Sequence, residues 1–158
     1  MKSRRIRLAV AAAGFGLAIA GAGASLAQDA QSVINQRQEL MKQQGRDVAA
    51  VRAFVEGRGD QAAAQRGAAD LLTTIPRIAS LFPQRTSSAE FPGRTRARPV
   101  IWSEWDQFNA AQQNALSRAQ ALNAALNTGN TAAVQTALTD LVNSGCNGCH
   151  GRFREPQQ

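Results

Sequence analysis

Five consecutive residues near the C-terminal end, Cys146-Asn147-Gly148-Cys149-His150, limit the fold of this chain more than any other feature. Cys-x-x-Cys-His is the attachment motif of a c-type haem. Two cysteines three positions apart on a helix can form thioethers to the two vinyl groups of one porphyrin, and the adjacent imidazole then lies beneath the iron. Cys146 and Cys149 are the only cysteines and His150 is the only histidine. The motif therefore predicts one covalently bound haem c, attached at the two cysteines, with His150 as the proximal iron ligand.

Three other uses of this motif are less compatible with the sequence. A structural zinc site needs four cysteine or histidine ligands, and the chain has three in total. A thioredoxin-like Cys-x-x-Cys lies between a strand and a helix, whereas this pair ends a helical pattern. A disulfide between Cys146 and Cys149 in an exported protein is the remaining alternative.

The first 27 residues have the pattern of a secretory signal peptide. Four basic residues open the chain, and an uncharged run from Leu8 to Leu26 follows them. Small residues at Ser25 and Ala27 suit a signal peptidase, so we expect cleavage after Ala27 and a periplasmic mature chain of residues 28–158. A retained membrane anchor is the alternative, although the run is rich in Ala and Gly. Ser3-Arg4-Arg5 hints at a twin-arginine signal, but haem is attached after export, which favours the general route for an unfolded chain.

Removal of this segment leaves 131 residues, the length of one domain. The mature chain keeps 14 basic and 11 acidic residues, a net charge of +3, because four basic residues leave with the signal. Such a weak charge does not indicate a nucleic-acid partner. We also expect no membrane span once the signal is removed.

Composition and periodicity predict four helices. Alanine and glutamine abound, and no stretch alternates in the manner of a strand. The expected helices run from about Asp29 to Val55, from the cap Asp60 to about Ser80 with a kink at Pro76, from Val100 to Asn127, and from Thr131 into the haem motif. The segment Leu81–Pro99 between the second and third is irregular, because prolines and glycine interrupt it. Helices of these lengths, with one long and two short connections, predict an all-α, antiparallel four-helix bundle.

At this point the sequence resembles the class II cytochromes c, the cytochrome c′ and c556 group. The haem motif lies at the C-terminus of a four-helix pattern and continues as Cys146-x-x-Cys149-His150-x-x-Phe153-Arg154, like the ending of that family. The segment from Arg37 to Lys42 is similar to the c556 sequence around its distal methionine, and Ile101–Trp105 is similar to the start of the third helix. The resemblance spans residues 29–154 and is closest to the c556 type.

The resemblance focuses attention on the second axial position of the iron. In c556 members a methionine on the first helix is the sixth ligand, whereas in c′ members an apolar side chain leaves the iron five-coordinate. Met41 stands at that place, and Lys42 is the other strong ligand nearby. Met41 belongs to the apolar stripe of its helix and Lys42 does not, so we expect Met41 to ligate the iron. Ordinary core packing of Met41 is the alternative.

Two arginines complete the expected site. Arg37 lies one turn before Met41 on the same face, and the resemblance implies that it binds a haem propionate. A surface arginine that extends its head group to water is the alternative. Arg154, four residues after His150, is expected to act on the imidazole or the haem edge, or else to be only a cation near a helix C-terminus.

The sequence and the resemblance lead to two functions. The first is a periplasmic monohaem cytochrome that transfers electrons through a low-spin haem ligated by His150 and Met41. The second is a cytochrome c′-like five-coordinate haem protein that binds NO or CO. No acid–base pair accompanies the motif, so we do not expect an enzyme. Redox proteins are the expected partners, and the resemblance allows a homodimer.

Overall fold

The computed structural model describes residues 20–156, with side chains from residue 28 onward. The predicted signal peptide lies outside these residues except for 20–27, which form the start of the first helix. Cleavage after Ala27 therefore stays a prediction. None of the helices in the described part of the chain is long and apolar enough to cross a membrane.

The regular secondary structure of residues 20–156 is helical. Its elements are α1 (Ala20–Val55), α2 (Gln61–Thr74), the short α3 (Val100–Ser103), α4 (Trp105–Asn127), α5 (Thr131–Asp140) and α6 (Asn147–Phe153). A π-helical segment (Leu141–Cys146) joins α5 to α6 without a break, and two 3₁₀ turns (Ile75–Arg77 and Ala79–Leu81) follow α2. Helix α1 begins at Ala20 and not at Asp29, because the Ala- and Gly-rich residues before Asp29 continue it.

These elements form the predicted four-helix bundle. Helix α1 packs on α2 and α5, α2 packs on α4, and α4 packs on α5, the π segment and α6. The interior is an aliphatic core of small and branched side chains contributed by all four long elements. Its members are Val51, Ala64, Ala68, Leu71, Ile75, Ala115, Ala119, Leu122, Leu126, Val134, Leu138 and Leu141. They recur at intervals of three and four, the spacing of one face of a helix.

Side-chain caps begin two of the helices. The carboxylate of Asp60 accepts a hydrogen bond from the backbone N–H of Ala63 at 2.7 Å, as the sequence predicted for the start of α2. Asn130 does the same at α5, where its side chain accepts from the N–H of Ala133 at 3.1 Å. Each cap satisfies a donor that the first turn of a helix leaves without a partner.

Helix α2 ends earlier than the periodicity predicted. The chain passes into a 3₁₀ turn at Ile75, directly before Pro76, which has no backbone N–H to continue an α-helix. The buried side chain of Gln112 on α4 compensates for the break. Its Nε2 donates to the carbonyl of Pro76 at 3.1 Å, and its Oε1 accepts from the N–H of Ala79 at 3.2 Å. The expected kink is thus a helix end.

The predicted third helix is divided as well. Glu104 adopts φ −123° and ψ 42°, outside the helical region, so α3 ends there and α4 begins at Trp105. The Glu104 carboxylate accepts from Nε of Arg152 at 2.8 Å and lies 2.7 Å from its Nη2. This two-point contact ties the break to α6.

A second hydrophobic group, the aromatic cluster, lies at the end of the bundle that carries α6. It consists of Phe82, Ala97, Ile101, Phe108 and Phe153, with Trp102, Trp105 and Cys149 packed against it. The ring of Phe108 lies at its centre, 4.8 Å from Phe82 and 5.3 Å from Phe153 between centroids. The Trp102 indole N–H donates to the carbonyls of Phe82 and Pro83 at 3.0 and 3.1 Å. The cluster therefore fixes the start of the 82–99 loop.

Candidate haem site

The two thiols lie where the two hydrophobic groups meet. Both cysteines are free and half-buried. Cys146 packs against the aliphatic core, and Cys149 packs against the aromatic cluster. Burial raises the pKa of the Cys146 thiol, and burial together with the neighbouring Cys146 raises the pKa of Cys149 to about 11. At neutral pH both are thiols, the form that adds across a vinyl group.

His150 lies one residue further along α6 and is half-buried. Burial, assisted by the positive charges of Arg154 and Arg96, lowers the pKa of its imidazole to about 4. The ring is therefore neutral at physiological pH. A neutral imidazole keeps the lone pair that binds iron, so the surroundings of His150 suit a proximal ligand.

Arg37 is buried, with 4% of its surface exposed, so it does not extend into solvent. Its Nη2 donates to the carbonyl of Thr86 at 3.0 Å and to Oγ1 of Thr95 at 3.4 Å, and its guanidinium carbon lies 4.2 Å from the centroid of Phe82. Its Nη1 is buried and has no hydrogen-bond partner among the described residues. Burial lowers the pKa of Arg37 to about 10, so the group stays charged. A carboxylate would complete these contacts.

Met41 lies one turn after Arg37 on α1 and is half-buried. It packs in neither the aliphatic core nor the aromatic cluster, although Leu40 beside it is buried. Lys42 is exposed, and its ammonium lies 2.7 Å from the carboxylate of Glu39. The structure thus directs Lys42 away from the interior and leaves the Met41 thioether as the available donor on this part of α1.

The elements that carry these residues are not principal packing neighbours in the bundle. The principal neighbours of α6 are α4 and the π segment, and α1 is not among them. Arg37 and Met41 on α1 and His150 on α6 therefore belong to helices of one bundle that do not pack closely on each other. The unpartnered Nη1 of Arg37 suits a propionate, and the two thiols suit the vinyl groups of a haem, so these assignments stay predictions.

Arg154 lies directly after α6 and is exposed. Its backbone forms an isolated antiparallel bridge with Ala97, which brings the 82–99 loop to the haem motif. Burial and the charge of Arg96 lower the pKa of Arg154. The expected influence of Arg154 on His150 is therefore shared with Arg96.

Sequence reasoning missed the contribution of the 82–99 loop. Phe82, Thr86 and Thr95 surround the guanidinium of Arg37, and Arg96 adds a charge near His150. No periodic signal marks these residues, because they lie in an irregular segment and act on partners more than 40 residues away. Their only sequence signature is the set of prolines that prevents this segment from becoming a helix.

Taken together, the helical bundle and the Cys-x-x-Cys-His motif at its C-terminal end define a monohaem c-type cytochrome. The family model described as Cytochrome C′ matches residues 32–154. The chain belongs to the cytochrome c′ family, whose members bind covalent haem c.

Two relatives represent both branches of this group. Cytochrome c′ of Pararhodospirillum photometricum is 30% identical over 126 residues, which are 79% of this chain and 98% of the relative. Cytochrome c-556 of Agrobacterium fabrum is 33% identical over 121 residues, which are 77% of this chain and 80% of the relative.

Solved structures agree on the fold. Cytochrome c′ from Rhodobacter Spheriodes superimposes with a TM-score of 0.73 at 25% identity, covering 81% of this chain and 98% of that one. A nitric oxide complex of a variant cytochrome c prime from Alcaligenes xylosoxidans superimposes with a TM-score of 0.70 at 23% identity, covering 80% of this chain and 97% of that one. The expected four-helix bundle and the expected family are thus confirmed.

Proposed function

We propose that this protein is a periplasmic haem protein that binds NO or CO on the distal side of the iron, beside Met41. The match of the whole bundle, residues 32–154, to cytochrome c′ carries this proposal. A structurally similar cytochrome c prime has been captured as a nitric oxide complex. Export, with cleavage after Ala27, is part of the proposal because covalent haem attachment takes place outside the cytoplasm.

Each site residue has one task in this proposal. Cys146 and Cys149 hold the haem through thioethers, and His150 offers a neutral imidazole to the iron. Arg37, buried and still charged, binds a propionate with its unpartnered Nη1. Arg154 places a positive charge near the proximal imidazole. When bound, the haem supplies an iron centre that takes a diatomic ligand or exchanges an electron.

The position of the Met41 side chain determines whether the distal side of the iron is free for a gas or taken by the thioether. Its side chain is unbranched and flexible, and it packs in neither hydrophobic group, so it can turn towards or away from the iron. A thioether is a neutral ligand that a diatomic gas can replace. Gas binding therefore needs either a Met41 that packs beside the iron or one that leaves it readily.

Electron transfer through a haem ligated by His150 and Met41 is the second candidate. The presence of methionine at position 41, in a segment similar to c556, favours it, and a cytochrome c-556 is among the relatives, at 33% identity over 121 residues. This function needs a Met41–iron bond that holds in both oxidation states. The homodimer that the resemblance allows stays a prediction under either function.

Absorption spectra of the haem-loaded protein separate the two candidates. We expect the ferrous protein to bind CO fully at submillimolar CO, with a sharp shift of the Soret band. Met41→Leu removes the sulfur and keeps the apolar volume. If Met41 only packs beside the iron, this variant should have the ferric spectrum of the parent protein and bind CO with an affinity within about threefold.

Lys42→Gln is the matched control, because Lys42 is the exposed neighbour of Met41 and is paired with Glu39. It should leave every spectrum unchanged. A low-spin ferric spectrum with a sulfur-to-iron charge-transfer band, lost only in Met41→Leu, together with no CO binding by the parent protein, would reject gas binding and establish the electron carrier.

A further inference from the structure

The surface around the end of the haem motif is rich in arginine. The 82–99 loop and residues 152–156 together contain six arginines and two glutamates. Arg94, Arg96, Arg98 and Arg154 are all exposed, and we call these four residues the arginine face. None of them forms an ion pair within residues 28–156, where the salt bridges involve Lys42, Arg58, Arg118 and Arg152.

The two glutamates of this region do not neutralise the arginine face. The carboxylate of Glu90 accepts hydrogen bonds from the backbone N–H and the hydroxyl of Ser87. The carboxylate of Glu155 accepts from the hydroxyl of Ser88 at 3.3 Å. Both are held by serines of the loop and not by its arginines.

The backbone that carries the arginine face is fixed on both sides. The N–H of Arg98 donates to the carbonyl of Phe153 at 3.0 Å, and the N–H of Glu155 donates to the carbonyl of Arg96 at 2.8 Å. On the other side, Nε2 of Gln38 on α1 donates to the carbonyl of Arg94 at 2.7 Å. A partner that binds here meets an ordered backbone, so less conformational entropy is lost on binding.

The arginine face also lies next to the proposed iron ligand. Arg154 is the fourth residue after His150, and the bridge between Ala97 and Arg154 brings Arg96 to the same place. Arg152 is exposed beside the motif as well, but it is paired with Glu104.

We propose that the arginine face docks an acidic protein that donates electrons to the haem iron. The inference rests on the proposed function in one respect, because CO binds ferrous iron and the iron must first be reduced. One electron leaves the reduced donor, which is oxidised by one electron, and ferric iron becomes ferrous. Opposite charges steer the two proteins together and orient the donor towards the haem edge.

The test uses the ferric, haem-loaded protein labelled with ¹⁵N and an acidic flavodoxin in its oxidised form as the probe. No electron moves in this experiment, so the result does not depend on gas binding. We expect the flavodoxin to shift the amide resonances of residues 94–98 and 152–156 and to bind more weakly as salt is raised.

Arg94→Gln/Arg96→Gln should weaken flavodoxin binding by about tenfold or more, because each arginine contributes to one complementary patch. Arg52→Gln/Arg66→Gln is the matched control, since it removes the same charge from exposed positions on α1 and α2. The control should bind flavodoxin as the parent protein does. Reduction by flavodoxin hydroquinone in stopped flow should slow in the loop variant alone.

Three results would overturn the docking proposal. Equal weakening in both double variants would mean that net charge alone matters. Shifted amides elsewhere on the bundle would place the partner on another face. Binding to vesicles of anionic phospholipid, without binding to flavodoxin, would assign the arginine face to a membrane surface. A parent protein that docks flavodoxin and fails to bind CO would reject the proposed function and leave the docking surface intact.

Discussion

The aliphatic core and the aromatic cluster differ in composition and in the sequence separation of their residues. The aliphatic core joins regularly spaced residues of four helices and contains no aromatic ring. The aromatic cluster joins residues that are far apart in the chain, Phe82, Phe108 and Phe153, and includes part of an irregular loop. The aliphatic core holds the four helices together, and the aromatic cluster packs beside the expected haem site. We therefore expect haem binding to be more sensitive to changes in the aromatic cluster than to changes in the aliphatic core.

The π segment connects the two regions and sets the direction of the haem motif. From Val134 in the aliphatic core to Phe153 in the aromatic cluster is 19 residues, which in a regular α-helix would leave them about 100° apart. The wider turns of the π segment compensate for this offset, and both residues are buried. Insertion of one alanine after Asn143 should rotate α6 away from the site. We expect covalent haem, measured by mass spectrometry, to be almost wholly lost.

Deletion of Asn143 is the matched control, because it shortens the π segment by one residue where the insertion lengthens it by one. It removes one exposed residue and lets the π segment become α-helical with Phe153 on its original side. This variant should keep most of its covalent haem. Equal haem loss in both variants would show that the π segment does more than determine which way the residues of α6 face.

Large-to-small substitutions compare the two regions directly. Leu122→Ala in the aliphatic core and Phe108→Ala in the aromatic cluster remove side chains that are 0% and 2% exposed. Each should lower the free energy of unfolding by about 3 kcal/mol, because each leaves a cavity. Only Phe108→Ala should change the haem spectrum, since the Phe108 ring contacts both Phe82 and Phe153.

Urea unfolding and absorption spectra of the same samples provide the check. A spectral change in Leu122→Ala, or an unchanged spectrum in Phe108→Ala, would contradict the prediction that only the aromatic cluster affects the surroundings of the haem.

The smallest expected effect concerns a buried carboxylate between α1 and α2. Asp47 is 5% exposed and lies where the helices approach so closely that a Cβ on Gly67 would be 2.7 Å from its carbonyl oxygen. Its Oδ1 accepts from Gln43, but its Oδ2 has no partner among the described residues. Asp47 differs from Arg37 in this respect, because no ligand is expected to complete its contacts.

Burial raises the pKa of Asp47, against the hydrogen bond from Gln43 and the charge of Arg46, and the charge of Asp70 adds to the rise. The folded protein therefore holds this proton more tightly than the unfolded chain, and the contribution of Asp47 to stability is lost as pH rises through the raised pKa. Asp47→Asn should stabilise the protein by about 1 kcal/mol at pH 7.

Urea unfolding between pH 3 and pH 7 tests this prediction. The gain from Asp47→Asn should disappear towards pH 3, where the carboxyl is protonated in both states. A gain that stays constant over this range would mean that the charge of Asp47 is not the cause.

The four helices, the caps and the aliphatic core could be predicted from sequence because their signals are local. Ile34 and Val51 are apolar residues of the predicted first helix, and both are fully buried. The Asp60 cap needs only the first turn of its own helix. The break at Glu104 and the π segment could not be predicted, because the partners of the residues beside them are distant in the chain: Arg152 binds Glu104, and Phe108 packs on Phe153.

Some residues of the candidate site could likewise be predicted from sequence, and others could not. Cys146, Cys149 and His150 are predicted from five adjacent residues, and Met41 is predicted from the resemblance of its segment to the c556 sequence. Their assignment to haem and iron stays a prediction that the spectra above address. The burial of Arg37 and the role of the 82–99 loop became visible only in three dimensions, since their partners lie 49 to 58 positions apart.

The 82–99 loop also bears on the order in which the protein and its haem come together. Its bonds from Arg37 to Thr86 and from Arg98 to Phe153 each close a stretch of about 50 residues. Contacts between such distant residues form late, because a long stretch of chain must first lose its freedom. We therefore expect the helices to assemble while Cys146 and Cys149 still face the attachment enzymes. We expect the contacts of the loop to form last, after the haem has been attached.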